Sequence, residues 1–147
     1  MILSDFDRGW LIGLLDGEGW IGLLKMKDSK SKLGFRLKPI ISVANANREL
    51  IEKAQKILGG YIEPVNPHLP TVTWEVTLVD TRKIKDFLEE NLQYIIAHKR
   101  RAELLLEFCK SRLNKPRGKG HGSQYSKREL EIRKEFEKLM KRRHWKT

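Results

Sequence analysis

Three glycines spaced four residues apart, Gly9, Gly13 and Gly17, lie inside the apolar stretch GWLIGLLDGEGWIGLL that runs from Gly9 to Leu24. No other feature narrows the fold as much. Ser4 can cap a helix that begins at Asp5, with Asp7 in the first turn at the positive end of the macrodipole, and the helix extends to about Gly17. In that helix the glycines form one slowly drifting stripe. Each costs a helix interior roughly 0.5–1 kcal/mol relative to alanine, and the usual return is close approach of another helix's backbone. Trp10, Leu11, Leu14 and Leu15 flank the stripe and are apolar enough to seal such a contact.

Asp16 and Glu18 stand at the C-terminal end of this helix. The macrodipole disfavours acids there by about 0.3–1 kcal/mol each, so local stability does not account for them. Two readings follow from the residues alone. If two such helices met side by side, their carboxylates would converge and suit a hard divalent cation, Mg²⁺ above all, which at a phosphodiester polarises the phosphoryl oxygen and activates a water. In the other reading Asp16 caps the next turn and Glu18 is simply exposed.

The formal net charge is +11 and unevenly spread: residues 1–113 hold 18 basic and 15 acidic side chains, residues 114–147 hold 12 and 4. A second basic cluster, KMKDSKSKLGFRLK (Lys25–Lys38), has six cations and one anion. Two such clusters in one small chain point to a polyanion, and nucleic acid is favoured over membrane because neither pairs its cations with an apolar insertion face. No apolar run is long enough to span a bilayer, and the N-terminus lacks a signal-peptide pattern. The one cysteine, Cys109, sits in LLLEFC and reads as a core thiol. His68, His98, His121 and His144 show no zinc spacing. An intracellular protein, cytoplasmic or organellar and not secreted, is expected.

Along the chain, strands are expected at Gly19–Lys27 and Phe35–Ala44, then a helix capped by Asn47 and stopped by Gly59-Gly60. A second hairpin follows, from Tyr61–Val65 to TVTWEVTLV (Thr71–Val79), with Val72, Trp74, Val76 and Leu78 on the core face. Asp80 caps the next helix, and another runs from about His98 to Arg112. A glycine-rich basic loop, Asn114–Tyr125, leads to a last helix with a capping box of Ser126 and Glu129. The order, α-β-β-α-β-β-α-α and an extension, predicts an α+β domain with a four-stranded antiparallel sheet covered by helices on one face. The uncovered face would carry Arg36, Lys38, Ser42, Thr73, Glu75 and Thr77. The register of the first strand is open, because WIGLLKMK does not alternate cleanly and a bulge would explain it.

The segment LIGLLDGEG (Leu11–Gly19) resembles the signature of the LAGLIDADG homing endonucleases, with Leu11, Gly13, Leu14, Asp16 and Gly19 identical and Ile12, Leu15, Gly17 and Glu18 near substitutions. With the element order, the resemblance spans roughly residues 1–112; residues 113–147 are expected to add the basic loop and C-terminal helix to the same domain. It implies the αββαββα core with a saddle-shaped sheet. It also implies that the motif helices form a dimer interface, here Gly9, Trp10, Gly13, Leu14 and Gly17. The last motif acid would bind the metal, helped by the preceding carbonyl; these map to Glu18, with Glu where many members have Asp, and to Gly17. Asp16 matches the other motif acid, expected to be structural or to support the site from behind. Asn45 corresponds to a supporting amide, and Lys99 or His98 to a supporting cation. One motif copy per chain implies a homodimer cutting a near-palindromic double-stranded DNA site, with Mg²⁺ as cofactor and Mn²⁺ or Ca²⁺ as substitutes. Intron encoding is the expected setting. Some members act instead as RNA maturases on their intron, and a non-catalytic DNA-binding scaffold is the remaining alternative. Candidate DNA contacts are Trp20, Lys25, Lys27, Arg36, Lys38, Ser42, Thr73 and Glu75 on the sheet, and Lys115, Arg117 and Lys119 as phosphate contacts.

Overall fold

The computed structural model describes residues 3–115 and 124–144. The first helix, α1 (Asp5–Glu18), starts where Ser4 Oγ accepts from the Asp7 N–H at 3.1 Å, and it leads directly into β1 (Gly19–Lys27). β2 (Phe35–Asn45) completes the first hairpin, and α2 (Arg48–Leu58) follows, with Asn47 capping Leu50 N–H at 3.0 Å. The second hairpin is β3 (Tyr61–Pro64) and β4 (Trp74–Leu78), followed by α3 (Thr81–Asn91), a short 3₁₀ turn (Leu92–Tyr94), α4 (Lys99–Leu113) and α5 (Lys127–His144).

The four strands form one antiparallel sheet in the order β1-β2-β4-β3, so the two hairpins lie side by side with β2 against β4. The second hairpin is shorter than its sequence suggests: ladder pairing starts at Trp74 rather than Thr71, although the Thr73 carbonyl still accepts from Val65 N–H at 2.8 Å. Pro67 and Pro70, which have no N–H to donate, hold the connection out of the ladder. Gly60 is required where it stands. Its φ is +87°, and a Cβ there would lie 2.1 Å from the Thr77 carbonyl oxygen.

One face of the sheet carries Ile21, Leu23, Leu37, Ile41, Val43, Val76 and Leu78, all buried against the helices. Leu11 and Leu15 from α1, Ile51 and Ala54 from α2, Ile84 and Leu88 from α3, and Leu105 and Cys109 from α4 fill the same core. Burial pushes the Cys109 thiol up to about 12, as befits a core residue. α5 joins this body through fully buried Ile132 and Phe136, each contributing about 1.5–3 kcal/mol of apolar burial. Among the described residues no helix is long and apolar enough to cross a membrane.

Candidate functional site

The two acids of the opening stretch part company. Asp16 is half-buried and turns toward the start of α4: its carboxylate accepts from the backbone N–H groups of Ile96 (2.9 Å), Ala97 (3.1 Å) and His98 (3.3 Å). It thereby ties the end of α1 to the start of α4, about eighty residues away in sequence. In this arrangement Asp16 acts as a positioning residue, engaged by three amides. Glu18 is exposed, and its Oε2 accepts from Asn45 Nδ2 at 2.9 Å. Asn45 is itself fixed, because its Oδ1 accepts the Asn47 N–H at 2.8 Å, one residue before α2 begins. The end of α1, the end of β2 and the start of α2 therefore meet at one carboxylate–amide pair.

The two candidate cations differ. Lys99 Nζ donates to the Leu92 carbonyl at 2.5 Å, so this side chain closes the 3₁₀ turn instead of reaching Glu18. His98 is half-buried at the N-terminus of α4, its backbone held by Asp16. Arg101, one helical turn beyond His98, is a buried cation that sequence reasoning did not single out. It is 9% exposed and lies over the Trp20 ring at 4.4 Å. Trp20, two residues past Glu18, rests on Gly22, where a Cβ would lie 2.5 Å from the indole Nε1. The signal in the sequence was the aromatic–x–glycine spacing, which lets an indole lie flat along a strand.

The β1–β2 register is continuous from Gly19↔Val43 to Lys27↔Phe35, with no bulge. Cross-strand partners share a face, so Trp20, Leu24 and Met26 of β1 line up with Ser42, Lys38 and Arg36 of β2, and with Thr77 and Glu75 of β4, on the uncovered face. Lys25 and Lys27 fall on the opposite face, a correction to their assignment; Lys25 Nζ lies 4.5 Å from the Phe35 ring centroid. The alternation was illegible because β1 has apolar residues on both sides. Arg36 and Lys38 do occupy the uncovered face. Ser42 does too, but it is only 5% exposed beside Trp20 and is not an accessible contact. Glu75 pairs with Glu63 of β3; partial burial, then the Glu63 charge, raise its pKa above the ordinary carboxylate range. Thr73 precedes β4 and lies in the connection. Lys115 is drawn inward as well, with Nζ 2.6 Å from Glu129 Oε1 and 3.2 Å from the Gln124 carbonyl, so it serves an ion pair and not a phosphate. Arg117 and Lys119 lie outside the described residues.

The glycine stripe faces outward. Gly9, Gly13 and Gly17 are exposed, and a Cβ on any of them would meet nothing within 4 Å. Beside it runs a groove of about 530 Å³ lined by Arg8, Ile12 and Tyr94 among others, with Ile96 standing 82% exposed at its edge. Trp10 and Leu14 sit on the flank that packs against the core, and Lys53 Nζ lies 4.5 Å from the Trp10 ring centroid. Among the described residues no three His, Cys, Asp or Glu side chains cluster as a metal site.

Comparison with known proteins is consistent with this geometry. A family model described as LAGLIDADG endonuclease matches residues 11–102. An archaeal intron-encoded homing endonuclease, I-Vdi141I, solved in complex with DNA, superposes with a TM-score of 0.73 at 24% identity, covering 91% of this chain and 84% of that one. The homing endonuclease I-CvuI, in complex with the I-CreI target, gives 0.66 at 23% identity over 74% of this chain and 69% of that chain. The meganuclease I-SmaMI, bound to uncleavable DNA, gives 0.69 at 20% identity; it covers 90% of this chain but only 44% of that one. A search of curated protein sequences returns no match.

Proposed function

The chain belongs to the LAGLIDADG endonuclease family, and we propose that it acts as a homodimeric, divalent-metal-dependent endodeoxyribonuclease that hydrolyses both strands of a long, near-palindromic, intron-associated DNA site. One observation carries this reading. The exposed Glu18, oriented by Asn45 at 2.9 Å, sits at the end of a helix whose glycine stripe is open for its full length. Two copies packed stripe to stripe would bring two such ends together.

The donor set fits a hard cation. Glu18 offers carboxylate oxygen at the surface, the Gly17 carbonyl precedes it, and Mg²⁺ is commonly held by one or two carboxylates together with substrate phosphate. Mn²⁺ or Ca²⁺ would suit the same oxygens. When bound there, a divalent ion would supply polarisation of the phosphoryl oxygen and a lowered pKa for a coordinated water. The chain's own residues do the rest. Asn45 holds the Glu18 carboxylate in one orientation, and Asp16 fixes the helix end against α4. Arg36 and Lys38 present cations on the uncovered sheet face, which is a two-stranded ribbon at that point and of a width the major groove accepts. The DNA complexes of I-Vdi141I and I-CvuI, the latter solved with Mg or with Ca, support DNA as partner and a divalent ion as cofactor.

The test uses duplexes enriched by binding from a randomised library in Ca²⁺, then challenged with Mg²⁺. Wild type should cut them. Glu18→Gln, which keeps the shape and the hydrogen-bonding capacity, should bind them with similar affinity and leave them intact. Cutting by Glu18→Gln at the wild-type rate would overturn the metal assignment. A strict 17.2 kDa monomer in the presence of DNA would overturn the composite site. Tight binding of intron RNA without duplex cleavage would replace this reading with the maturase one.

A further inference from the structure

Beyond Ile41, β2 has no β4 residue opposite it, because the β2–β4 ladder covers only Ile41 to Asn45. Residues 35–40 of β2 and their partners in β1 therefore form a two-stranded ribbon with no strand on either edge, held to the core from one face by Leu23 and Leu37; a two-stranded ribbon is of marginal stability by itself. The C-terminal segment closes both its edges. On the β2 edge the Leu37 N–H donates to Tyr125 Oη at 2.7 Å. On the β1 edge Arg133 of α5 donates from Nη1 to the Leu23 carbonyl. Underneath, the Tyr125 ring stacks parallel to Phe35, with centroids 6.2 Å apart, and lies 6.4 Å from Phe108 of α4. Tyr125 is in turn gripped: Arg112 lies 4.7 Å over its ring, and one residue later Ser126 and Glu129 exchange a reciprocal capping box that starts α5.

This ribbon carries Leu24, Met26, Arg36 and Lys38 on the uncovered face. It also points away from Glu18. Met26 is about seven residues from Gly19, roughly 23 Å at strand rise, which corresponds to about seven base pairs of duplex. We propose that Tyr125 and Arg133 are positioning residues for recognition: they hold the distal β1–β2 ribbon in one place, and so govern preference at the outer base pairs of each half-site without taking part in cutting. The proposal rests on the DNA-binding reading above. Its physical basis is that base-edge readout needs side chains held in register with the groove, and a ribbon with two unpaired edges does not supply that rigidity.

Two variants of the full chain test it. Tyr125→Phe keeps the ring stack and removes only the hydroxyl; Arg133→Gln removes the guanidinium from the β1 edge. Amide hydrogen exchange without DNA should show faster exchange at Leu37 and its ribbon neighbours in Tyr125→Phe, with the α2 and α3 amides unchanged. Selection from the randomised duplex library should then show preference weakened by about two- to tenfold at the outer positions, the range one hydrogen bond supports, and preserved at the centre; Arg133→Gln should give the same pattern. Preference weakened alike at all positions would overturn the local role, since that is what a general loss of stability produces. Unchanged exchange at Leu37 would overturn the brace, whatever the DNA result. Faster exchange with intact outer preference would overturn its role in recognition. A wild type that enriches no duplex would overturn the DNA-binding reading itself, and the recognition role with it, while the exchange data would still report on the brace.

Discussion

Adding a methyl group at Gly13 should strengthen the isolated subunit and weaken the assembly. In the subunit, a Cβ at Gly13 meets nothing within 4 Å, so Gly13→Ala acts through helix propensity alone. Alanine is favoured over glycine in a helix interior by about 0.8–1 kcal/mol, and Gly13 is the central glycine of the stripe in a 14-residue helix. In a two-fold dimer built on the stripe, the same methyl group enters twice where two backbones approach. Overpacking costs about 1–3 kcal/mol per insertion, hence roughly 2–6 kcal/mol per dimer, which raises the dimer Kd by about 30-fold to 10⁴-fold. Urea denaturation at low protein concentration reads the first effect, and light scattering over a dilution series reads the second. Opposite signs are the expected result. A Gly13→Ala subunit less stable than wild type would mean that the stripe is packed within the chain. An unchanged dimer, or a protein monomeric from the start, would remove the stripe as an interface and with it the paired Glu18 site.

Asp16→Asn should destabilise the chain by about 1–3 kcal/mol, since the amide offers one acceptor oxygen where three backbone N–H groups now share a carboxylate; denaturant titration reads this, and loss of cutting with full stability would place Asp16 in the catalytic machinery instead. Acid should loosen the C-terminal brace. Burial raises the Glu129 pKa, but Lys115, the Ser126 N–H, Ser111 and Arg112 outweigh it, so the group sits below the ordinary carboxylate range. A depressed pKa contributes stability that is complete above the unfolded value of about 4.3 and is lost as pH falls through the folded one. The Tm gap between wild type and Glu129→Gln should therefore be widest near neutral pH and close as pH falls below about 4.

The caps were legible because each is a local signal. Ser4, Asn47, Asp80 and the Ser126–Glu129 box all make the predicted hydrogen bonds, within three residues of themselves. The core face of β4 was legible for the same reason, through strict alternation at Val76 and Leu78. Glu18 and Asn45 were reached by resemblance, and their 2.9 Å contact could not have been read from spacing, since 27 residues separate them. The failures are all tertiary. Lys25 and Lys27 were misplaced because β1 is apolar on both sides. Lys115 looked like a tail cation until Glu129 of α5 came within 2.6 Å. Arg101 reaches Trp20 from α4, whose start is held by Asp16 from α1, and neither contact is local in sequence. Tyr125 stood in a glycine-rich stretch that reads as a linker, and nothing local says that it completes an edge of β2.

The separation of Asp16 from Glu18 sets a phase. Residues two apart on an α-helix point about 160° away from each other, so one carboxylate reaches the start of α4 and the other reaches Asn45 at the end of β2. Deleting or inserting one residue between them would rotate the second acid by about 100°, leaving it aimed neither at Asn45 nor across the stripe. Length variation can be absorbed in the connection between β1 and β2, residues 28–34, which no strand pairing constrains. It cannot be absorbed at Gly17. Drift in this lineage should thus be free to alter which side chains stand at positions 24, 26, 36 and 38, and nearly frozen in the count of residues between the two acids.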